Sequence, residues 1–124
     1  MKNHIFIQIA GILGALAVGI GAFGAHGLQP LLEAKGRVAT FETAVAYHFY
    51  HALAILVVSI WYSLVPDKKA LRLAIFAFLS GILIFSGSLY ILSLSGITWL
   101  GAITPIGGVA FIIGWIAIIF AAKS

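Results

Sequence analysis

The fold class this sequence predicts is an all-α polytopic membrane protein. Four transmembrane helices form an antiparallel bundle, with a short interfacial helix between spans one and two. Three observations lead there. Of the 124 residues, 63% are hydrophobic and only 8% are charged, whereas a soluble domain carries about 25% charged residues to cover its core. The apolar side chains must therefore face lipid. Four apolar runs, residues 5–25, 43–65, 71–94 and 97–122, each reach the roughly 20 residues a helix needs to cross hydrocarbon, and Arg72 is the one Lys, Arg, Asp or Glu inside any of them. The later connections, around Pro66 and at Ser95-Gly96, are short enough to make spans two, three and four antiparallel neighbours in sequence. No internal repeat or low-complexity stretch divides the chain, so residues 1–124 are read as one domain.

Span one exceeds the 7–15 apolar residues of a secretory leader and is read as a retained helix. Gly11, Ala15 and Gly19 recur every four residues, and so do Ala17, Gly21 and Ala25. Small residues at this spacing let another helix backbone come close, a principal source of association in lipid. Two such faces predict that span one is central to the bundle. His26 closes the span within GAFGAHGL. One reading makes it a C-terminal cap, with Gly27 in the left-handed conformation and the ring donating to the last carbonyls. A second, compatible reading points the ring toward His51.

Residues 29–41 differ in character. Leu31, Ala34, Val38 and Phe41 share a helical face, Pro30 suits a first turn, and Glu33 with Arg37 forms a favourable i, i+4 pair. This predicts a short helix in the outer interface, weakened by Gly36, that serves either as a connector or as a lid. Val65 to Lys69 is a tight turn. In span four, Pro105 removes a backbone donor and frees the carbonyl of Gly101, so a kink is expected about a third of the way in, with Gly107 and Gly108 admitting a neighbour at the bend.

Orientation follows from the basic residues. Lys2, Lys68, Lys69, Arg72 and Lys123 fall on the side of both termini, against Lys35 and Arg37 on the other. Five against two predicts both termini in the cytoplasm of a bacterium, with the chain in its plasma (inner) membrane. Trp61 and Tyr62 then lie near the inner interface and Trp99 near the outer one. The net charge of +4 is explained by this topology and calls for no nucleic acid. The bilayer is the certain partner, with a homo-oligomer or a second membrane protein as further candidates.

The polar side chains gather toward the outer half: His26, Thr43, Tyr47, His48, His51, Ser86, Ser88, Tyr90, Ser93 and Thr104. Polar groups at membrane depth are costly unless paired or facing water, so they turn inward. By helical spacing Tyr47 and His51 share a face, with His48 bordering it. Ser86, Tyr90 and Ser93 share another, with Ser88 nearly opposite. His26, Tyr47, His51, Ser86, Tyr90 and Thr104 are therefore the candidates for a small polar pocket open to the outside.

These stretches also carry a resemblance. GAFGAHGL at 21–28, YxxxH at 47–51 before ALAIL, FSGSLY at 85–90, and TPIGG at 104–108 followed by Gly114-Trp115 resemble the uncharacterised family of small bacterial inner-membrane proteins that includes YgdD and YwdK. The likeness spans essentially the whole chain. It implies a four-span plasma-membrane protein and brings no activity, substrate or catalytic residue with it.

Three functional readings follow. The first is a non-enzymatic bundle that packs with itself or a partner, its polar groups hydrogen-bonding internally. A second is small-solute binding or transport by a homo-oligomer. No carboxylate lies deep in a span, so coupling would fall to His48 or His51. Third is a redox subunit holding haem or a metal on its histidines. Against this last reading, no Cys exists to complete a ligand set, and Glu42 at a span edge is the one nearby carboxylate. No cofactor and no catalytic residue is therefore assigned.

Overall fold

With no water in hydrocarbon to satisfy backbone groups, apolar runs of this length have the helix as their available form, and the computed structural model is helical throughout. It describes residues 4–123; Lys2 lies outside them. The helices are α1 (Ile5–His26), α2 (Gln29–Lys35), α3 (Val38–Leu64), α4 (Lys69–Gly81), α5 (Gly87–Ser95) and α6 (Thr104–Ala121). A π-helical turn, Ile82–Ser86, joins α4 to α5, and a 3₁₀ turn, Thr98–Ala102, leads into α6. The four helices long and apolar enough to cross a membrane are Ile5–His26, Val38–Leu64, Lys69–Ser95 and Thr98–Ala121. Phe6 lies 6.1 Å from Tyr62 between ring centres, and Lys68 Nζ donates to the Ala121 carbonyl at 2.8 Å. The start of α1, the α3–α4 turn and the end of α6 therefore meet at one end of the bundle.

Span one does not take the central place its two small faces predict. Spans two and three hold the middle, each 44% buried over its most apolar stretch against 17% for α1. One flank of α1 is used: Ala17 is buried, Gly21 abuts Val45, and Gly24 lies under the Phe41 ring of α3. Beside Gly11, Gly14 and Gly19 nothing stands within reach of an added Cβ. Small residues permit close approach but do not supply a second neighbour. α4 and α5 pack against α3 and α6 instead, leaving α1 on the rim.

The closest packing joins α4, the π turn and α6. Gly107 lies against the backbone of Phe85, Gly81 receives Phe111, and Gly114 receives Phe78, whose ring atoms would stand 2.5 Å from an added Cβ. Below this seam, Ile55, Val58, Leu71, Ile75 and Phe78 form the buried core.

Three local expectations are revised. Gly36, at φ 66°, terminates α2 in the left-handed conformation, so Val38 and Phe41 belong to α3. The break resets the helical phase: Leu32 is buried while Leu31 is 41% exposed. Gly27 is not left-handed. Its φ is −105°, and its N–H and that of Leu28 both reach the Phe23 carbonyl, at 2.6 and 3.1 Å. A Cβ there would stand 2.6 Å from the ring of Phe23, which is exposed and would have to turn aside. Finally, Pro105 occupies the first turn of α6, the position its fixed φ and missing donor suit. The change of course falls in the 3₁₀ turn before it and not within a continuous α-helix.

Candidate functional site

A histidine in hydrocarbon is tolerated when both ring nitrogens are engaged, and His51 meets that condition. It stands halfway along α3 and is 5% exposed. Nδ1 lies 2.8 Å from the Tyr47 carbonyl, one turn back, and Nε2 lies 3.1 Å from Nε1 of Trp115 on α6. A carbonyl can only accept and an indole N–H can only donate. The ring is therefore the neutral Nδ1–H tautomer, with its Nε2 lone pair taken by Trp115. It also lies flat on Phe111, 3.6 Å between centres at 10°, and the edge of Trp115 meets Phe78 at 5.0 Å. α3 presents the imidazole, α6 the indole and one phenyl ring, and α4 the other.

His48, one position further round α3, turns to span three. Its Nδ1 is 2.8 Å from the Tyr90 hydroxyl. Its Nε2 is buried and has no hydrogen-bond partner among the described residues. Two serines complete the seams. Ser86 Oγ, in the π turn, donates to the Ala44 carbonyl of α3 at 2.8 Å. The hydroxyls of Ser88 and Thr104 are 2.6 Å apart, and the carbonyls of Phe85 and Leu100 stand at 3.0 and 3.3 Å for the proton not shared between them.

Of the six residues expected in one pocket, Ser86 and Tyr90 face α3, Thr104 faces Ser88, and His51 faces α6. Tyr47 contributes its carbonyl, while its ring stacks on Phe85 at 4.8 Å and remains 40% exposed. His26 is not brought to the others. It is exposed at the end of α1, level with Phe41, and His51 lies ten residues further along α3, roughly 15 Å at helical rise. Open space lies elsewhere: a cleft of about 440 Å³ between α1, α3 and the start of α4, one of about 260 Å³ beside α2, and a groove of about 590 Å³ along α1 and α3. None of the three is lined by any of the six residues.

Trp115, Phe111 and Ser88 are partners that helical spacing did not select. Trp115 carried the available signal, since a buried indole N–H needs an acceptor. Ser88 was set aside for lying opposite Ser86. That is where α6 runs. Among the described residues, no three His, Cys, Asp or Glu side chains gather as metal ligands, and neither nitrogen of His51 is free to ligate one.

Four apolar spans, closed by hydrogen bonds between histidine, tyrosine, tryptophan and hydroxyl side chains, define a small polytopic membrane protein. The family model described as "Protein of unknown function (DUF423)" matches residues 20–108. The chain is 48% identical over 118 residues to the UPF0382 membrane protein YwdK of Bacillus subtilis, covering 95% of each. It is 41% identical to a UPF0382 membrane protein of Haemophilus influenzae, covering 97% of this chain and 94% of the relative. With one from Staphylococcus aureus the identity is 44%, covering 94% and 93%. The chain belongs to the UPF0382 family of membrane proteins. No solved structure matches it.

Proposed function

We infer that the protein is a non-enzymatic membrane component that assembles through α1, its polar residues serving to lock spans two, three and four together. The observation that carries this reading is the division of labour on the helices. Across interfaces His48 bonds to Tyr90, His51 to Trp115, Ser88 to Thr104 and Ser86 to the Ala44 carbonyl, whereas the Gly11–Ala15–Gly19 face of α1 borders an open groove. A glycine-lined surface in lipid is suited to close contact with another helix, and a second copy of this chain is the simplest source of one. Both termini face the cytoplasm in this reading, on the count of basic residues. Cross-linking in native membranes tests it: wild type gives a discrete oligomer, and replacing Gly11 and Gly19 together by Leu abolishes it while the monomer stays folded.

A second reading, small-solute transport, rests on His48, whose Nδ1 meets the Tyr90 hydroxyl and whose Nε2 has no partner among the described residues. Uptake by liposomes containing only this protein, abolished by His48→Ala, would favour it over assembly.

A further inference from the structure

The cleft of about 440 Å³ lies at the end of the bundle that carries both termini, far from the histidine seams. The start of α1, the end of α3 and the start of α4 enclose it. Its polar lining is a guanidinium, an imidazole and three hydroxyls, from Arg72, His4, Ser59, Tyr62 and Ser63, and no carboxylate among the described residues lines it. Two features set it apart from an ordinary gap between helices.

One is Ser59, which is 3% exposed and whose Oγ has no hydrogen-bond partner among the described residues. Three other helical serines return the hydroxyl to their own helix, Ser63 to Ile60, Ser93 to Leu89 and Ser95 to Ile91, at 2.6 to 2.7 Å, and buried Ser86 donates across to the Ala44 carbonyl. Ser59 does neither, so a buried donor is left over just behind the cleft wall that this residue lines. A buried polar group without a partner calls for an explanation, and an absent ligand is one. The other is Arg72. Its guanidinium carbon is held 5.8 Å from the Phe6 ring centre and 5.2 Å from that of Phe76. Those contacts use the faces of the rings and leave the planar fork of N–H donors for an anion. Lys68, the nearby alternative, is already tied to the Ala121 carbonyl, and Asp67 and Lys69 lie outside the lining.

We propose that this cleft binds the phosphate of an anionic phospholipid, with Arg72 gripping its two non-bridging oxygens and the Ser59 hydroxyl, turned into the cleft, donating to one of them. The apolar part of the lining decides for a lipid over a soluble phosphate. Ile5, Phe6 and Ile7 continue the polar mouth onto the membrane-facing start of α1, where Ile5 is 45% exposed. A headgroup seated on Arg72 can lay its acyl chains there. The site needs only the membrane embedding of the chain and is independent of which leaflet this end faces.

Native mass spectrometry of the full chain, released from nanodiscs of equal phosphatidylglycerol and phosphatidylcholine, tests the proposal. Wild type is expected to retain one phosphatidylglycerol in preference to phosphatidylcholine. Arg72→Gln should lower that retention about tenfold, and Ser59→Ala by a smaller factor, as charged and neutral donors differ in strength. Lys69→Gln removes the same charge outside the cleft and should leave retention unchanged. Equal retention of the two lipids, or an equal loss in Lys69→Gln and Arg72→Gln, overturns the site. Displacement of the lipid by millimolar inorganic phosphate assigns the pocket to a soluble anion and overturns the lipid. Elution of each variant as wild type in detergent confirms that the comparison is between folded proteins.

Discussion

His51 shows what a single polar residue does in this bundle. Its two nitrogens, one bonded to backbone and one to Trp115, fix the ring against Phe111 and tie α3 to α6. Interhelical hydrogen bonds in membranes are worth about 0.6 kcal/mol on average, so Trp115→Phe, which orphans Nε2, should destabilise the fold by about 1 kcal/mol. His51→Ala loses the bond and the stacked ring together and should cost about 2–4 kcal/mol through the void it leaves. Thermal unfolding of both variants in one detergent checks the order. If His51→Ala is no worse than Trp115→Phe, the stacking contributes little. That His51 faces inward was legible from its spacing with Tyr47. Its partner was not, because spacing along α3 carries no information on which α6 residue lies at the same height.

Helices here are distinguished less by propensity than by what their glycines admit. Gly107 lies on the Phe85 backbone at the π turn, while Gly108 would place a Cβ 3.9 Å from the Phe85 ring, ordinary contact. Gly107→Ala should therefore destabilise by about 1–3 kcal/mol, the usual range for overpacking, and Gly108→Ala should be close to neutral. The two adjacent substitutions, compared by unfolding in detergent, separate a steric requirement from a general taste for glycine. The π turn, Ile82–Ser86, has no proline or charged residue to mark it. An extra residue in one turn changes the phase of Phe85 and Ser86 relative to α5, and such bulges recur where helices carry function or accommodate strain. Gly36 was recognised as weakening the interfacial helix. Its effect is stronger, since it ends α2 and gives Val38 and Phe41 to α3.

For the whole molecule the open flank of α1 is the principal feature. A Cβ added at Gly11 or Gly19 meets nothing among the described residues, so Gly11→Leu with Gly19→Leu should leave monomer unfolding unchanged and remove the cross-linked oligomer. Loss of monomer stability would show instead that the face is covered from within. Because the chain has no cysteine, orientation can be read from single introduced thiols. Gly96→Cys should react with an impermeant maleimide in intact cells, and Lys123→Cys only after permeabilisation. Span number and span limits to within a few residues were determined by the sequence alone, as was the burial of His48, His51 and Ser86, though Thr43 and Tyr47 of the same expected set stay exposed. They follow from the length of hydrocarbon to be crossed and the cost of leaving a polar group in it, and both are properties of one helix. Which helix sits in the centre, which of two small faces on α1 finds a neighbour, that His26 stays apart from His51, and that Ser59 is left without a partner beside Arg72 were decided by the tertiary structure. Those facts depend on how helices compete for the same surface, and a surface exists only once the others have packed.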